Sequence, residues 1–247
     1  MKRLTGKTAL VTGGNSGIGF AAAAELVTQG AKVMITGRRK EAITAAAAQI
    51  GADYFLADQA KIQDTIALAE EVKTKYGQLD ILFINAGITG ERMLIADATP
   101  ENFDQVMDIN FKGAYFTLSK LIPVLSDGAS VVILSSIVAG TYYPQSSIYQ
   151  ASKAALNSIA KTAAAELASR NIRVNIVSPG PTRTEVLSKN GADQKEVEAI
   201  FDQLKSTIPL RQIGDATDIA KMVAYLCDNA AKFITGAEFV IDGGITL

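Results

Sequence analysis

Residues 8–37 read TALVTGGNSGIGFAAAAELVTQGAKVMITG, and this stretch decides the fold. It contains an apolar run at 8–13, a glycine cluster, an alanine-rich segment that begins near Gly17 and a second apolar run at 32–37. Short apolar runs without polar alternation are typical of strands that are covered on both faces, as in parallel sheets. The stretch therefore predicts a strand–helix–strand unit with a glycine-rich turn after the first strand.

The same alternation continues along the chain. Further apolar runs lie at 53–57, 81–87, 130–136, 173–180 and 238–244, and segments rich in Ala, Glu and Leu separate them. This pattern predicts an α/β fold of the Rossmann type, a doubly wound sheet of about seven parallel strands flanked by helices. Because no repeat and no linker-like boundary interrupts the pattern, we expect residues 1–247 to form a single domain. The polar segment 185–212, with a helical middle, departs from the pattern and is expected to form a lid over a substrate.

The composition limits the partners and the compartment. The 247 residues are 48% hydrophobic and 20% charged, and 24 basic residues balance 25 acidic ones. This balance predicts no nucleic-acid or anionic-membrane partner. The apolar stretches are shorter than the ~18 residues of a membrane span, and the first residues lack the features of a signal peptide. Together with the lone Cys227, these observations favour a cytoplasmic protein.

The chain has no histidine, which excludes several kinds of catalytic site. Ser-His-Asp and Cys-His systems need an imidazole base near neutral pH, and histidine-ligated metal sites are excluded as well. The GNSG sequence at 14–17 is not a G-x-S-x-G nucleophile elbow, and no histidine is present to activate Ser16. We therefore expect neither a hydrolase nor a metal site.

The glycine cluster predicts a phosphate-binding turn. Residues 12–19 read TGGNSGIG and lead directly into the first predicted helix. Glycines at this place permit a tight turn and let backbone N–H groups approach a pyrophosphate at the positive helix end. No Gly-Lys-Ser/Thr follows, so the turn is not a P-loop. Its position inside a strand–helix–strand unit favours dinucleotide binding over an ordinary turn.

A second group of residues predicts acid–base chemistry. Tyr149 and Lys153 are four residues apart in the helical segment 148–170, so their side chains emerge on one face. A nearby lysine cation favours the phenolate of a tyrosine, whose ordinary pKa is about 10. Such a tyrosine can give a proton to a carbonyl oxygen or take one from an alcohol. Ser135 and Ser136 end the fifth predicted strand, where ligands bind in parallel sheets.

Taken together, these motifs resemble those of the short-chain dehydrogenase/reductase family, and the resemblance runs from about Lys7 to the C-terminus. It rests on the T-G-x-x-x-G-I-G turn, on Asn85-Ala86-Gly87 after the fourth strand, and on a serine thirteen residues before a Y-x-x-x-K tyrosine. The pattern is similar to that of ketoreductases and 3-oxoacyl-carrier-protein reductases. One departure is Ile84, which stands where the family's N-N-A-G element has its first asparagine.

The resemblance implies a role for each of four catalytic residues. Ser136 would hydrogen-bond the substrate oxygen, and Tyr149 would be the general acid/base. Lys153 would lower the pKa of the tyrosine and hold the nicotinamide ribose. Asn110 would anchor a water molecule that relays protons to the lysine.

The resemblance also implies a set of cofactor contacts in a dinucleotide-binding and catalytic domain. These are Gly13, Asn15, Ser16, Gly17, Ile18, Gly19, Asp58, Asn85, Ala86, Gly87, Tyr149, Lys153, Pro179, Gly180, Thr182 and Thr184. Asp58 would bind the adenine, although a surface-turn acid explains it equally well. Backbone atoms near Thr182 and the Thr184 hydroxyl would orient the nicotinamide amide, although an ordinary strand-to-loop turn would also satisfy the Pro-Gly pair.

The end of the second strand indicates which nicotinamide cofactor is used. An acid at this place would accept hydrogen bonds from a ribose 2′-hydroxyl, whereas arginine accommodates a 2′-phosphate. The chain has Gly37 in the place of the acid, followed by Arg38 and Arg39. We therefore favour NADP(H), with NAD(H) as the alternative.

These observations predict an oxidoreductase that interconverts a ketone and a secondary alcohol. A 3-oxoacyl-carrier-protein reductase or a sugar dehydrogenase is an alternative, since one catalytic set serves all three. Free small ketones come first, because Lys112, Lys120 and Arg183 do not form an obvious basic patch for an acidic carrier protein. A dinucleotide-sensing protein without turnover would usually have lost Tyr149 or Lys153.

The substrate pocket and the assembly are less closely specified. The pocket is expected to be built from residues after Gly87, from 137–148 and from 185–212. Tyr142, Tyr143 and Leu187 suggest an apolar wall, although packing under the lid would explain them equally well. The last strand resembles the family's usual interface strand, which implies a homotetramer.

Overall fold

The computed structural model describes residues 2–184 and 194–247. The strands are β1 (Thr8–Val11), β2 (Lys32–Gly37), β3 (Asp53–Leu56), β4 (Leu79–Ile84), β5 (Leu125–Leu134), β6 (Arg173–Pro179), β7 (Thr182–Arg183), β8 (Gly214–Asp215) and β9 (Glu238–Ile241). The α-helices are α1 (Gly17–Thr28), α2 (Lys40–Ile50), α3 (Ile62–Tyr76), α4 (Pro100–Met107), α5 (Ala114–Leu121), α6 (Ser147–Glu166), α7 (Gln194–Thr207) and α8 (Ala216–Cys227). In the described part of the chain, no helix is long and apolar enough to cross a membrane.

Seven of these strands form one parallel sheet in the order β3-β2-β1-β4-β5-β6-β9. The direction of winding reverses at β1, where Leu10 pairs with Met34 of β2 on one side and with Leu82 of β4 on the other. Ligands of such sheets bind in the crevice beyond the carboxyl ends of the strands at this switch point. The predicted fold class is confirmed.

Helices cover both faces of the sheet. Leu10 belongs to one apolar cluster, while its neighbours Ala9 and Val11 belong to the other, because successive side chains of a strand point to opposite faces. The first cluster includes Leu68 and Val72 of α3, Leu118 of α5 and Leu156 of α6. The second includes Leu26 of α1, Ile43 of α2 and Val223 of α8. This double coverage explains why the strands read as continuous apolar runs.

The strands end earlier than their apolar runs predicted. β4 ends at Ile84 rather than at residue 87, and β5 ends at Leu134 rather than at residue 136. After β4, the N–H of Asn85 donates to the side-chain hydroxyl of Thr12 and not to a neighbouring strand. The residues that leave the sheet in this way are free to form the rim of the crevice.

The chain between residues 100 and 124 is helical but interrupted. Thr99 caps α4, since its hydroxyl accepts the N–H of Asn102 at 3.2 Å. A π-helical turn, Asp108–Gly113, then separates α4 from α5, and Pro123 lies in a 3-10 turn, Ile122–Val124. Single π-helical turns often occur at functional sites.

Two short strands and one helix border the predicted lid. β7 pairs with β8, which joins Thr182 to Gly214 beside the main sheet. Within the expected lid 185–212, residues 194–207 form α7, so the predicted helical middle is confirmed. Residues 185–193 of that prediction lie outside the described residues.

Candidate active site

The glycine turn between β1 and α1 packs closely against the loop after β4. Gly13 and Gly17 have φ values of 65° and 55°, in the left-handed region that favours glycine. A Cβ at Gly13 would lie 3.0 Å from the Cα of Ala86, and a Cβ at Gly19 would lie 2.4 Å from the carbonyl oxygen of Gly13. Because larger residues do not fit here, no side chain from these positions covers the amino end of α1. This turn fits the pyrophosphate of a dinucleotide.

Thr12 joins the two central strand ends. Its buried hydroxyl accepts the N–H groups of Asn85 at 3.0 Å and Ala86 at 3.1 Å. In return, the Asn85 amide donates to the carbonyl oxygens of Thr12 at 2.9 Å and Gly13 at 3.2 Å. The predicted contacts Gly13, Asn85 and Ala86 are thus brought together. Thr12 was missed by the sequence analysis, although a threonine between an apolar strand and a glycine cluster is a usable signal.

Gln59 is a second residue that the sequence analysis did not identify. Its side-chain Nε2 donates to the carbonyl oxygens of Ala86 at 3.1 Å and Ile109 at 2.9 Å. Its Oε1 is buried and has no hydrogen-bond partner within the described residues. The neighbouring Asp58, a predicted adenine contact, accepts the N–H of Ala60 at 3.1 Å and so shapes the turn before α3.

Two arginines and an asparagine amide lie at the end of β2. A Cβ at Gly37 would lie 2.8 Å from the Oδ1 of Asn15, so the Asn15 side chain occupies the space of a residue-37 side chain. Arg38 and Arg39 follow and are exposed. Position 37 therefore presents no carboxylate to a ribose, while two guanidinium groups lie next to it in the chain.

Lys153 is buried beneath the carboxyl end of β5. Its side chain extends from α6 and its ammonium donates to the carbonyl oxygen of Leu134 at 2.9 Å. The residue is only 4% exposed, and burial lowers its pKa to about 8. The Nζ atom lies 5.9 Å from the centre of the Tyr149 ring. The spacing of four residues on α6 thus brings the two side chains together, as the sequence predicted.

Ser136 and Tyr149 form a hydroxyl pair. Ser136 follows β5, and its hydroxyl accepts the N–H of Val138 at 3.3 Å. Burial raises the pKa of Tyr149, and the nearby Ser136 side chain lowers it. The resemblance implied that Lys153 sets this pKa, whereas burial has the largest effect, followed by Ser136. The physical reason is that Tyr149 is partly buried, so a phenolate there is less well solvated than in water.

Asn110 ties the loop after β4 to α6. Its amide donates to the carbonyl of Ile88 at 2.8 Å and to the hydroxyl of Ser152 at 3.0 Å, and its Oδ1 accepts the Ile88 N–H at 2.8 Å. Ser152 donates in turn to the carbonyl oxygen of Tyr149 at 2.7 Å. A Cβ at Gly87 would lie 3.2 Å from the Asn110 Oδ1 and 3.5 Å from the Lys153 Nζ. Asn110, Gly87 and Lys153 therefore meet, as a proton relay would require.

The segment after β6 reaches the glycine turn. The Thr182 hydroxyl donates to the carbonyl of Gly180 at 2.9 Å. A Cβ at Gly17 would lie 3.6 Å from the Cβ of Thr184. The predicted contacts on this segment thus lie beside the predicted contacts on α1.

A cavity of about 590 Å³ opens beside Ser136. It is lined by Ser136, Ile137, Val138, Tyr143, Pro179, Gly180, Pro181, Leu204, Thr207 and Ile245. Tyr143 lines it as expected, whereas Tyr142 is 95% exposed, so the expectation for Tyr142 is wrong. Leu187 lies outside the described residues, and Ile245 had no signal in the sequence.

Comparison with known proteins identifies the family. A family model described as Enoyl-(Acyl carrier protein) reductase matches residues 13–246. The human protein Dehydrogenase/reductase SDR family member 4 is 35% identical over 248 residues, which cover 98% of this chain and 88% of the relative. The chain belongs to the short-chain dehydrogenase/reductase family.

One further relative and two solved structures are similar to this protein along nearly the whole chain. A 3-oxoacyl-[acyl-carrier-protein] reductase of Staphylococcus epidermidis is 35% identical and covers 97% of this chain and 98% of the relative. A dehydrogenase/reductase from Sinorhizobium meliloti 1021 superposes with a TM-score of 0.91 at 36% identity, covering 100% and 97% of the two chains. A blue fluorescent protein from a metagenomic library, solved in complex with NADPH, gives a TM-score of 0.90 at 28% identity, covering 99% and 100%.

Membership of the short-chain dehydrogenase/reductase family makes this chain an oxidoreductase and supports a nicotinamide dinucleotide cofactor. The site is consistent with this chemistry. A turn that only glycines fit, the loop after β4 and Thr184 form one side of the crevice. Ser136 borders the cavity on the other side.

Proposed function

We propose that this protein is an NADP(H)-dependent oxidoreductase that interconverts a ketone and a secondary alcohol. The observation that carries the proposal is the grouping of Tyr149 with the buried Lys153, whose Nζ lies 5.9 Å from the ring centre, beside Ser136 at the wall of the 590 Å³ cavity. Lys153 is buried behind this pair, with its ammonium held by the Leu134 carbonyl. These are a proton donor, a hydrogen-bond donor and a cation at one end of a pocket of suitable size for a small molecule.

The residues of the crevice would hold the cofactor. Backbone N–H groups at the start of α1 would bind its pyrophosphate, and the loop at Asn85–Gly87 would line the ribose. Arg38 and Arg39 favour a 2′-phosphate, because position 37 lacks the carboxylate that would accept a 2′-hydroxyl. When bound, the nicotinamide supplies the hydride, which no side chain of the protein can supply.

Tyr149 is the proton donor of the reduction. Because burial raises its pKa above the ordinary value of about 10, the phenol holds its proton at neutral pH. In the cavity the phenol donates this proton to the carbonyl oxygen, and Ser136 donates a hydrogen bond to the same oxygen. The resulting phenolate is favoured by the nearby Lys153 ammonium. Asn110 keeps the loop after β4 in place beside the lysine.

The cavity favours uncharged substrates. None of its described lining residues carries a charge, and most are aliphatic or proline. A second candidate, the reduction of a 3-oxoacyl group on a carrier protein, is supported by the similarity to the Staphylococcus epidermidis reductase. The two candidates differ in their dependence on an acidic protein partner. If the protein reduces 3-oxoacyl groups on a carrier protein, it should reduce the carrier-bound substrate much faster than the free ketone.

The proposal is tested by replacing the proton donor. Tyr149→Phe should lose more than about 99% of ketone reduction, in line with the loss of a general acid, while binding of NADPH, followed by its fluorescence, changes little. Tyr142→Phe is the matched control, since this tyrosine of the preceding loop is 95% exposed, and it should keep full turnover. A panel of small ketones with NADPH and NADH gives the readout. Substantial turnover by Tyr149→Phe would refute the assignment.

A further inference from the structure

The last six residues, Asp242–Leu247, fold into a tight turn that we call the C-terminal turn. The Asp242 carboxylate accepts the N–H of Gly244 at 2.8 Å, the N–H of Thr246 at 3.1 Å and the hydroxyl of Thr246 at 2.6 Å. The N–H of Ile245 donates to the Asp242 carbonyl at 3.3 Å. One side chain therefore organises nearly the whole turn, and Ile245 lies between two of its anchored residues.

The C-terminal turn is wedged between the end of β6 and the segment after α7. On the β6 side, a Cβ at Gly180 would lie 2.6 Å from the Cβ of Asp242. On the other side, the N–H of Leu210 donates to the Gly243 carbonyl at 3.1 Å, and a Cβ at Gly243 would lie 2.6 Å from the Cγ2 of Ile208. Neither Gly180 nor Gly243 has space for a side chain, so the turn packs closely against its neighbours on both sides.

Ile245 is the residue of this turn that lines the cavity beside Ser136. A β-branched side chain is stiff at χ1, so on a fixed backbone it forms a firm wall. The cavity lining also includes Leu204 and Thr207 of α7, and no described lining residue carries a charge. Ile245 thus limits the size of a substrate, and the uncharged lining of the whole cavity favours an uncharged substrate.

We propose that Ile245 sets the largest substituent a substrate ketone can carry, and that Asp242 is the positioning residue that holds Ile245 in the pocket wall. The inference rests on the proposed function and deepens it. The substrates are uncharged ketones whose larger substituent is apolar, and the chain's own C-terminal turn selects among them.

The test compares a bulky ketone, acetophenone, with a small one, 2-butanone, in the full-length protein with its cofactor. One or two methylene-sized changes in an apolar pocket change discrimination by about 10-fold or more. Ile245→Ala should raise the ratio of kcat/KM for acetophenone over 2-butanone by about 10-fold, and Ile245→Phe should lower it by a similar factor. Ile245→Val, the mildest change, should fall between wild type and Ile245→Ala.

The positioning role is tested by Asp242→Asn, whose amide would face the Thr246 N–H donor. Its ratio should move toward that of Ile245→Ala through KM, while kcat for 2-butanone stays within about twofold of wild type, because the proton-donating residues are untouched. Leu247→Ala is the control, since Leu247 ends the same turn and is fully exposed; its ratio should equal that of wild type.

The outcomes separate the inference from the proposed function. Opposite shifts of the kcat/KM ratio for Ile245→Ala and Ile245→Phe support the inference. If the wild type and all variants reduce ketones with the same kcat/KM ratio, the inference about Ile245 is overturned and the proposed function stays intact. An equal loss of kcat for both ketones in Asp242→Asn overturns the positioning role. A wild type that reduces no ketone overturns both proposals.

Discussion

The Lys153 ammonium donates a 2.9 Å hydrogen bond to the carbonyl oxygen of Leu134, the last residue of β5. This contact fixes the lysine beneath the strand end that precedes Ser136. Burial is the cause of the lowered pKa of Lys153, about 8. A buried cation near Tyr149 serves the proposed chemistry, and the same burial makes the cation costly for folding.

Replacing this lysine should therefore stabilise the protein in a pH-dependent way. The pKa of a lysine in the unfolded chain is about 10.4, whereas the pKa of Lys153 in the folded protein is about 8. Between these values the unfolded state binds more protons, so the unfolding free energy of the wild type rises with pH. Below about pH 8 Lys153 is charged in both states, so burial of its charge lowers the unfolding free energy by the full amount. Lys153→Met should be more stable than wild type at pH 7, and the difference should shrink toward pH 10.

Urea unfolding at several pH values between 6.5 and 9.5 measures this difference. Lys161→Met is the control, because it removes a lysine from an exposed position of the same helix. A stability difference for Lys153→Met that does not vary with pH would contradict the prediction. Ketone reduction by this variant should be lost throughout the range.

Gln59→Leu should weaken both the fold and cofactor use. The substitution removes the donor to the partly buried carbonyls of Ala86 and Ile109, which costs about 1–3 kcal/mol. Because Ala86 belongs to the loop that would line the cofactor ribose and Ile109 precedes Asn110, KM for NADPH should rise about fivefold or more, a coupling of about 1 kcal/mol. Steady-state kinetics and urea unfolding provide the two readouts. Gln63→Leu, which changes an exposed residue of the next helix, is the control and should alter neither stability nor KM. If Gln59→Leu loses stability without a change in KM for NADPH, Gln59 is a structural residue only.

Arg38→Ala should reduce the preference for NADPH. If its guanidinium binds the 2′-phosphate, KM for NADPH should rise about tenfold, as for the loss of one charge-assisted hydrogen bond, while KM for NADH stays the same. Arg3→Ala is the control, since Arg3 is exposed and pairs with Asp228 at 3.9 Å. Both residues line a different pocket from the cofactor crevice. The proposal fails if the wild type prefers NADH or if Arg38→Ala affects both cofactors equally.

The sheet was predictable because local signals and tertiary structure agree. Each buried strand is an apolar run between helix-forming segments, and helices cover it on both faces. The strand ends were predicted too long, because side chains such as Thr12 take over the backbone N–H groups there. The homotetramer, the cytoplasmic location and the single domain remain predictions.

The candidate site was predictable where it depends on spacing along one helix or strand end. Tyr149 and Lys153 share one face of α6, and Ser136 follows an apolar run. Gln59 and Ile245 were not found, because their roles depend on contacts with residues far away in the sequence. The π-helical turn at Asn110 was also missed, since no residue type specifies it.

The hydroxyl of Thr12 gives the crevice a built-in spectroscopic reporter. The amide protons of Asn85 and Ala86 are bonded to this side chain and not to a strand carbonyl. Their exchange with deuterium therefore follows the local separation of β1 and β4, independently of global unfolding. Slower exchange of these two amides on adding a dinucleotide would register occupancy of the crevice without any turnover.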